Sequence, residues 1–324
     1  LYFVIRLLIQ EEILNFKVFF FVCSLCVLFV SLDLIYQLIV GIDIFGNVKT
    51  PNKLSGPFGE EKIAGSYLQR FGIFIFFLFP LITKSKNKIY PFLLSLFLFA
   101  LIFFSIIISG NRMPLILFLF MFTILFLIER RLRKLTLVFG VLALAIFFLV
   151  YNLNEAAENY TKHFINSSFQ IFYFLKEVFL NGNSPVITNN YIKEFYTGYA
   201  AWKENPVIGG GVDSFYSNCS KTIAWCASHP HNYYLEIMTE LGLIGLLLIV
   251  ILFCNLVFIS LSSKDFVTMY FEKNLITPFI LIMFVEIFPI KTTGSFFTTG
   301  NSTFIFIIIG IIIGLYEKSN YNKV

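Results

Sequence analysis

Long apolar runs with few charges follow one another along almost the entire chain. Hydrophobic residues make up 58% of the sequence and charged residues 13%, well above the apolar share and below the charged share of ordinary globular domains. A stretch of roughly 20 apolar residues crosses the hydrocarbon core of a bilayer as a helix, because a helix satisfies its own backbone hydrogen bonds there. The pattern therefore predicts an all-α, polytopic transmembrane helix bundle.

About eight runs are long enough to be interpreted as membrane spans. They occupy 18–39, 66–82, 90–108, 113–128, 135–151, 233–260, 274–290 and 302–316. Phe and Ile dominate these runs, and we expect them to fill lipid-facing positions. Since no separate soluble-looking block is present, we expect a single membrane domain over 1–324. The chain begins at Leu1, already inside a hydrophobic segment, so we expect this domain to be incomplete at its N-terminal end.

Positive charges are concentrated in one of two alternating sets of connecting loops. The basic set comprises 84–88, 130–134, 264–273 and 318–323, and the other set comprises 41–65, 110–112, 152–231 and 291–301. Because Lys and Arg are enriched in cytoplasmic loops, we expect the second set to face outward, with 152–231 as one large periplasmic loop. The net charge of +5 follows from this orientation and gives no support to a nucleic-acid partner.

The five cysteines divide between spans and loop. Cys23, Cys26 and Cys254 lie in apolar runs, where they are interpreted as small buried apolar residues. Cys219 and Cys226 lie in the outward loop, where an oxidising compartment permits a disulfide. The sequence leaves two free thiols as the alternative for this pair.

The segment "SHPHNYYLEIMTELGLIG" contains two of the three histidines. Pro230 and Asn232 indicate the start of a helix, since Asn is a good N-cap and Pro is tolerated at the first turn. The positive end of the helix dipole disfavours an imidazolium at His231 and offers free N–H groups to a phosphate. His231 is therefore a candidate base, with a helix cap or an interfacial hydrogen-bonding residue as the alternative. His229 is interpreted as structural or loop-exposed.

Two arginines lie at the outward ends of predicted spans. Arg112, in "ISGNRMP", separates two spans with almost no loop. A charge at that depth usually faces a cavity or a partner, and guanidinium suits a phosphate or diphosphate; a snorkelling side chain is the alternative. Arg70 lies about one helical turn inside the second span and requires a paired anion or a water-filled cavity.

Three consecutive glycines, Gly209 to Gly211, occur in "NPVIGGGVDSF". They predict a turn or a close approach of two backbone segments. Without a flanking strand and a following Lys-Ser/Thr they do not form a P-loop. A phosphate cradle remains the alternative.

These motifs together resemble the O-antigen ligase and O-antigen polymerase family of bacterial inner-membrane glycosyltransferases. The resemblance rests on "HPHNYYLEIMTELGLIG", on "NPVIGGGVDSF" before it, and on "SGNRMP" between two spans farther upstream. "LSGPFGEEKIAGSYL" and the pair Cys219 and Cys226 resemble the polymerase-like members. The resemblance to the family extends over 31–248.

The resemblance implies a GT-C-like membrane fold and a glycan transfer on the periplasmic side of the inner membrane. The implied donor is an oligosaccharide on undecaprenyl pyrophosphate, and the implied acceptor hydroxyl belongs to a glycan or to lipid A-core. No metal or other cofactor is implied, and other polysaccharide-assembly proteins are possible partners. His231 is implied as the base and Arg112 as the pyrophosphate contact. We expect polymerase rather than ligase activity.

One departure from the family pattern concerns a second arginine in the outward loop. No arginine follows Arg133, so Lys193 or Lys203 is the candidate substitute, although lysine lacks the bidentate geometry of guanidinium. Further candidate substrate contacts are Arg70, Asn232 and His229; the resemblance assigns none of these a role. A transporter or flippase for lipid-linked glycans, or an inactive scaffold, is the alternative function.

Overall fold

The described part of the chain is helical, which confirms the all-α prediction. The computed structural model describes residues 1–50, 53–82, 89–153, 190–222, 226–262, 275–291 and 294–321, with isolated residues between 158 and 177. Within these ranges the β pairings are two isolated bridges, Ile42 with Val48 and Thr50 with Lys53. No extended strand is present among these residues.

The helices are numbered here in chain order. Before the large loop they are α1 (Tyr2–Gln10), α2 (Phe16–Val40), α3 (Ala64–Phe71), α4 (Ile73–Ile82), α5 (Ile89–Ile108), α6 (Arg112–Ile128) and α7 (Arg133–Leu153). After it they are α8 (Asn190–Glu204), α9 (Phe215–Thr222), α10 (Tyr233–Ser262), α11 (Thr277–Glu286) and α12 (Thr299–Tyr321). Single turns of 3-10 helix occupy Gly56–Phe58 and Arg130–Leu132.

Five helices within the described ranges are long and apolar enough to cross a membrane, namely α2, α5, α7, α10 and α12. The other three predicted spans coincide with shorter apolar helices, Ala64–Leu78, Arg112–Ile128 and Thr277–Glu286. A polytopic helix bundle is therefore confirmed, with five full-length candidate spans. The span predicted over 66–82 is interrupted at Gly72, where a Cβ would lie 2.5 Å from the Leu68 carbonyl oxygen and 3.3 Å from the Ile102 side chain.

The chain groups into two compact units, which are described separately. The Arg112 unit comprises 4–164, 263–285 and 311–324, and the His231 unit comprises 1–3, 165–262 and 286–310. In the Arg112 unit, Asn15 begins α2 by accepting hydrogen bonds from the Lys17 and Val18 amides, and Gly41 ends it with φ 93°. Both ends follow the usual capping chemistry of helices.

Phenylalanines form much of the interior of the Arg112 unit, and this corrects the expectation that they fill lipid-facing positions. Phe20, Phe74 and Phe279 are fully buried, and their ring centroids lie 5.0 to 5.9 Å apart. A second cluster brings Phe99 and Phe139 into stacked contact at 4.4 Å. Aromatic pairs at these separations contribute specific packing energy beyond their buried area.

In the His231 unit, α8 and α9 pack beside the first half of α10. Helix α10 is not continuous, because Gly242 has φ 67° and ψ −167°. This backbone conformation breaks the helical hydrogen-bond pattern and is one that L-residues rarely adopt. The break separates the polar first turns of α10 from its long apolar part.

Candidate functional site

His231 lies in a tight turn immediately before α10. Asn232 is the N-cap: its Oδ1 accepts hydrogen bonds of 3.1 Å from the amides of Tyr234 and Leu235. His231 itself has φ 51°, a left-handed conformation that is uncommon for a non-glycine residue and often marks a functional site. The predicted helix start is therefore confirmed, and His231 lies at the positive end of the helix dipole.

The segment that follows α11 forms hydrogen bonds with this turn. The Asn232 amide donates to the carbonyl oxygens of Pro289, at 2.7 Å, and Lys291, at 3.2 Å. The Tyr234 hydroxyl donates to the carbonyl oxygen of Ile287. Because Asn232 is only 3% exposed and both of its polar atoms are used within the protein, we assign it a structural role and propose no substrate contact for it.

The same segment fixes the next turn of α10. The Phe296 amide donates to Glu236 Oε2, and the rings of Tyr233 and Phe296 meet edge to face at 5.3 Å. Within this segment, Lys291 Nζ and Glu286 Oε2 form a buried ion pair at 2.6 Å. These contacts of 286–291 and 294–297 with the histidine turn could not be predicted from the sequence, because they join residues more than fifty positions apart.

The carboxylate nearest to His231 belongs to Glu194 on α8. Glu194 Oε1 lies 3.8 Å from His231 Nε2, and the side chains are 16% and 35% exposed, respectively. Burial raises the pKa of the Glu194 carboxyl, and the charge of His231 opposes that shift. The distance is longer than a hydrogen bond, but the arrangement places an anion beside any imidazolium that forms at His231.

Helix α8 reaches this position because Gly198 permits close packing. A Cβ on Gly198 would lie 3.0 Å from Pro230 Cβ and 3.2 Å from Leu235 Cβ. Glu194 is one helical turn before Gly198, so it lies on the same face of α8. Sequence reasoning missed Glu194, and the available signal was a carboxylate and a glycine at spacing four on an amphipathic helix.

The ring of His229 lies beside that of His231, with their centroids 4.1 Å apart. Ser228 Oγ lies 3.0 Å from His229 Nδ1. Burial, followed by the charge of His231, lowers the pKa of His229 to about 4. His229 is therefore neutral near pH 7.

The three glycines make a close backbone approach to the break in α10. A Cβ on Gly209 would lie 2.3 Å from the carbonyl of Glu240, and one on Gly242 would lie 2.2 Å from the carbonyl oxygen of Val207. The two glycines therefore form an interlock in which neither backbone leaves room for a side chain.

The amides of the glycine turn are used within the protein. Gly210 donates to the Thr239 carbonyl and Gly211 to the Glu240 carbonyl, both at 2.9 Å, and Gly209 donates to Asn205 at 3.0 Å. A phosphate cradle requires amides that point at the ligand. That alternative is wrong for these glycines, and the close-approach prediction is confirmed.

A disulfide joins Cys219 of α9 to Cys226, with Cα atoms 6.0 Å apart. Cys219 is buried with Ala201 and Phe215, and Cys226 packs against this cluster. The bridge thus connects α8 and α9 to the segment that enters the histidine turn. Its position indicates a structural role in holding that segment.

In the Arg112 unit, Arg112 is the first residue of α6. The preceding Asn111 does not cap the helix with its side chain. Instead its amide donates to the Lys62 carbonyl at 2.9 Å, and its Oδ1 accepts from the Gly65 amide at 3.0 Å. The turn before α6 is consequently tied to the segment that leads into α3.

Arg70 belongs to the last turn of α3, in the same unit. An apolar cavity of about 700 Å³ extends along α6 between α5 and α7. On α6, the residues that line the cavity begin at Leu115, three residues after Arg112, and end at Phe126. The cavity is therefore suited to an apolar chain and leaves Arg112 near the polar end of α6.

The two candidate lysines of α8 differ in their surroundings. Lys203 is exposed, and its Nζ lies 4.6 Å from the centre of the Tyr199 ring. Since Lys203 is nine residues after Glu194, it lies on the opposite side of α8. Lys193 is partly exposed and adjacent to Glu194 in the chain. Both assignments stay predictions, and the geometry favours Lys193.

Comparison with known proteins gives one family match. A family model described as O-antigen ligase matches residues 97–250. This match supports the resemblance to the O-antigen ligase family over that part of the chain. No curated protein and no solved structure matches the chain significantly.

The matched range includes Arg112, Glu194, His229 and His231. The resemblance inferred from the histidine and arginine motifs is therefore confirmed. Arg70 and the segment 286–297 lie outside the matched residues. The buried support of the histidine turn is thus partly supplied by a region beyond the family match.

Proposed function

We propose that the protein transfers a glycan from a polyprenyl diphosphate carrier to an acceptor hydroxyl, with His231 as the base. The observation that carries this proposal is the pairing of His231 with the half-buried Glu194 within the range matched by the O-antigen ligase family model. His231 is partly exposed, and its backbone is fixed by the capped start of α10. A base with those properties can meet a substrate hydroxyl without being displaced by it.

The proposed step is a single displacement. His231 Nε2 accepts the proton of the acceptor hydroxyl while the hydroxyl oxygen bonds to the anomeric carbon of the donor. The bond from that carbon to the diphosphate oxygen breaks, and its electron pair leaves with the carrier. Glu194 stabilises the imidazolium formed, and configuration at the anomeric carbon inverts. A positioned general base contributes roughly 10²- to 10⁴-fold to such a rate.

The donor is proposed to bind through its diphosphate at Arg112. Guanidinium offers paired donors that match phosphate oxygens. The apolar cavity that begins three residues farther along α6 has the chemistry to accommodate part of an isoprenyl chain. These features support a lipid-linked donor, and the five apolar helices support a membrane location. From the family resemblance and the loop charges we propose the bacterial inner membrane, with the chemistry on its periplasmic side.

Among the activities of this family, we propose O-antigen polymerase rather than ligase. The proposal rests on the resemblance of "LSGPFGEEKIAGSYL" and of the Cys219 and Cys226 pair to polymerase-like members. The acceptor would then be the terminal sugar of another repeat unit rather than lipid A-core.

The test compares surface polysaccharide from the native host in wild type, a deletion strain and His231→Ala. Glu204→Gln is the matched control, because Glu204 is exposed at the far end of α8. A polymerase that uses His231 leaves lipid A-core with a single repeat in both the deletion and the point mutant. Immunoblots of membrane fractions establish that each variant is present at the wild-type amount.

Two other outcomes overturn parts of the proposal. Loss of all surface glycan with polymer retained on the carrier identifies a ligase. A normal ladder in His231→Ala, together with its loss in the deletion strain, removes His231 from the chemistry and supports a transporter or scaffold.

A further inference from the structure

The segment between α2 and α3 contributes two lysines to the surroundings of Arg112. Lys53 is half-buried and Lys62 is exposed. Asn111, one residue before Arg112, donates from its side-chain Nδ2 to the Lys62 carbonyl at 2.9 Å, and its Oδ1 accepts from the Gly65 backbone amide at 3.0 Å. Lys62 is therefore held close to the start of α6 by its own backbone.

The charges of Lys53, Lys62 and Arg112 act on one another. Burial lowers the pKa of Lys53, and the positive charges of Arg112 and Lys62 lower it further. Glu60 and Glu61 precede Lys62 in the chain, yet within the described residues neither forms an ion pair with Lys53 or Lys62. Three positive charges that act on one another concentrate positive potential at this place and attract an anion.

The packing of this region is specific. A Cβ on Gly65 would lie 2.6 Å from Asn111 Cβ and 2.6 Å from Ser109 Oγ. Ser109 is fully buried, and its Oγ accepts a hydrogen bond of 3.3 Å from the backbone amide of Asn111. The turn before Arg112 and the Lys62 segment are therefore a single packed feature, in which the side chain of Asn111 is used for contact with the segment instead of capping α6.

We propose that Lys53 and Lys62 bind the diphosphate of the lipid-linked donor together with Arg112. This inference rests on the proposed function and extends its donor site to a part of the chain before the family match. Three cations match the charge of a diphosphate better than one. They also supply positive charge in a protein that has no arginine after Arg133.

The experiment measures binding of undecaprenyl diphosphate to the purified full chain in detergent, with inorganic diphosphate as a competitor. Lys53→Gln and Lys62→Gln are each expected to weaken binding, and the double variant to weaken it about ten-fold or more, as for loss of hydrogen bonds to a charged group. Lys49→Gln is the matched control, since Lys49 is exposed in the same connecting segment. Lys53→Arg and Lys62→Arg keep the charge and should retain binding.

The outcomes separate the two proposals. Weakened binding in the glutamine variants, retained binding in the arginine variants and no effect of Lys49→Gln support the inference. Wild-type binding by the double variant, with loss in Arg112→Gln, overturns the inference and leaves the proposed donor contact intact. Failure of the wild-type protein to bind undecaprenyl diphosphate contradicts the proposed function itself.

A parallel arm uses vesicles of phosphatidylglycerol to distinguish the diphosphate from a membrane headgroup. If the double variant loses binding to these vesicles but keeps its affinity for undecaprenyl diphosphate, the lysines contact bulk lipid and the inference is wrong. Thermal unfolding of each variant establishes that a loss of binding is measured on folded protein.

Discussion

Glu194 Oε1 lies 3.8 Å from His231 Nε2, although Glu194 belongs to α8 and His231 to the turn before α10. The approach depends on Gly198, which lets α8 pack against Pro230 and Leu235. A carboxylate that faces a histidine at this distance stabilises the charged imidazolium. Catalytic contacts are often long in the absence of substrate and shorten in the reactive complex.

Glu194→Gln is expected to reduce the maximal rate of glycan transfer about ten-fold, because the imidazolium formed in the transition state loses its anionic neighbour. Burial raises the pKa of the Glu194 carboxyl, so the wild-type rate should fall on acidification as this carboxylate is protonated, and Glu194→Gln should lose that part of the pH dependence. The measurement is a pH–rate profile with a purified lipid-linked donor. Glu194→Asp, which keeps the charge, should recover part of the rate.

A structural role for Glu194 would give a different result. In that case the rate would fall with destabilisation, and the acid limb of the profile would not move. Glu204→Gln lies on the same helix and should leave both the rate and the profile unchanged. A Glu194→Gln enzyme with a wild-type profile would remove Glu194 from the chemistry.

Local features of the site could be predicted from the sequence, and distant contacts could not. Asn232 was recognised as a helix cap because capping depends on a few adjacent residues. Glu194 and the segment 286–297 reach the histidine turn only through tertiary packing. The buried phenylalanines were misassigned for a related reason: an apolar residue in a span can face lipid or protein, and composition does not distinguish the two.

Only one of the two glycines of the interlock, Gly209, could be predicted from the sequence to make a close backbone approach. The run Gly209 to Gly211 indicated a close approach of backbone, but its partner, Gly242, lies within what the sequence presents as one continuous apolar helix. The break at Gly242 is explained by the Val207 carbonyl, which occupies the position a side chain would need. Helix propensity alone does not reveal such an intrusion.

Gly209→Ala and Gly242→Ala are each expected to destabilise the protein by more than about 3 kcal/mol, because each combines a left-handed φ with a backbone clash. Gly211→Ala is the matched control. Gly211 also has a positive φ, of 97°, but a Cβ there has no neighbour within 4 Å, so a cost of about 1 kcal/mol is expected. Thermal unfolding in detergent measures the order, and equal losses in all three variants would contradict the interlock.

His229 makes the histidine turn sensitive to acid. Its pKa is lowered by burial, and secondarily by the charge of His231, from an ordinary 6.5 to about 4. Between these values the unfolded chain takes up a proton that the folded protein excludes. The free energy of unfolding therefore rises with pH across this window. The contribution of His229 is present above about pH 6.5 and is lost as the pH falls to about 4.

His229→Gln should remove this part of the pH dependence. Because the ring is only half-buried, solvent screening reduces the expected difference to about 1 to 2 kcal/mol, below the full value of the shift. The measurement compares the melting temperatures of wild type and variant from pH 7.5 to pH 4 in detergent. The variant should lose less stability on acidification, and Lys49→Gln should follow wild type. Parallel curves for His229→Gln and wild type would show that His229 is protonated as readily in the folded protein as in the unfolded chain.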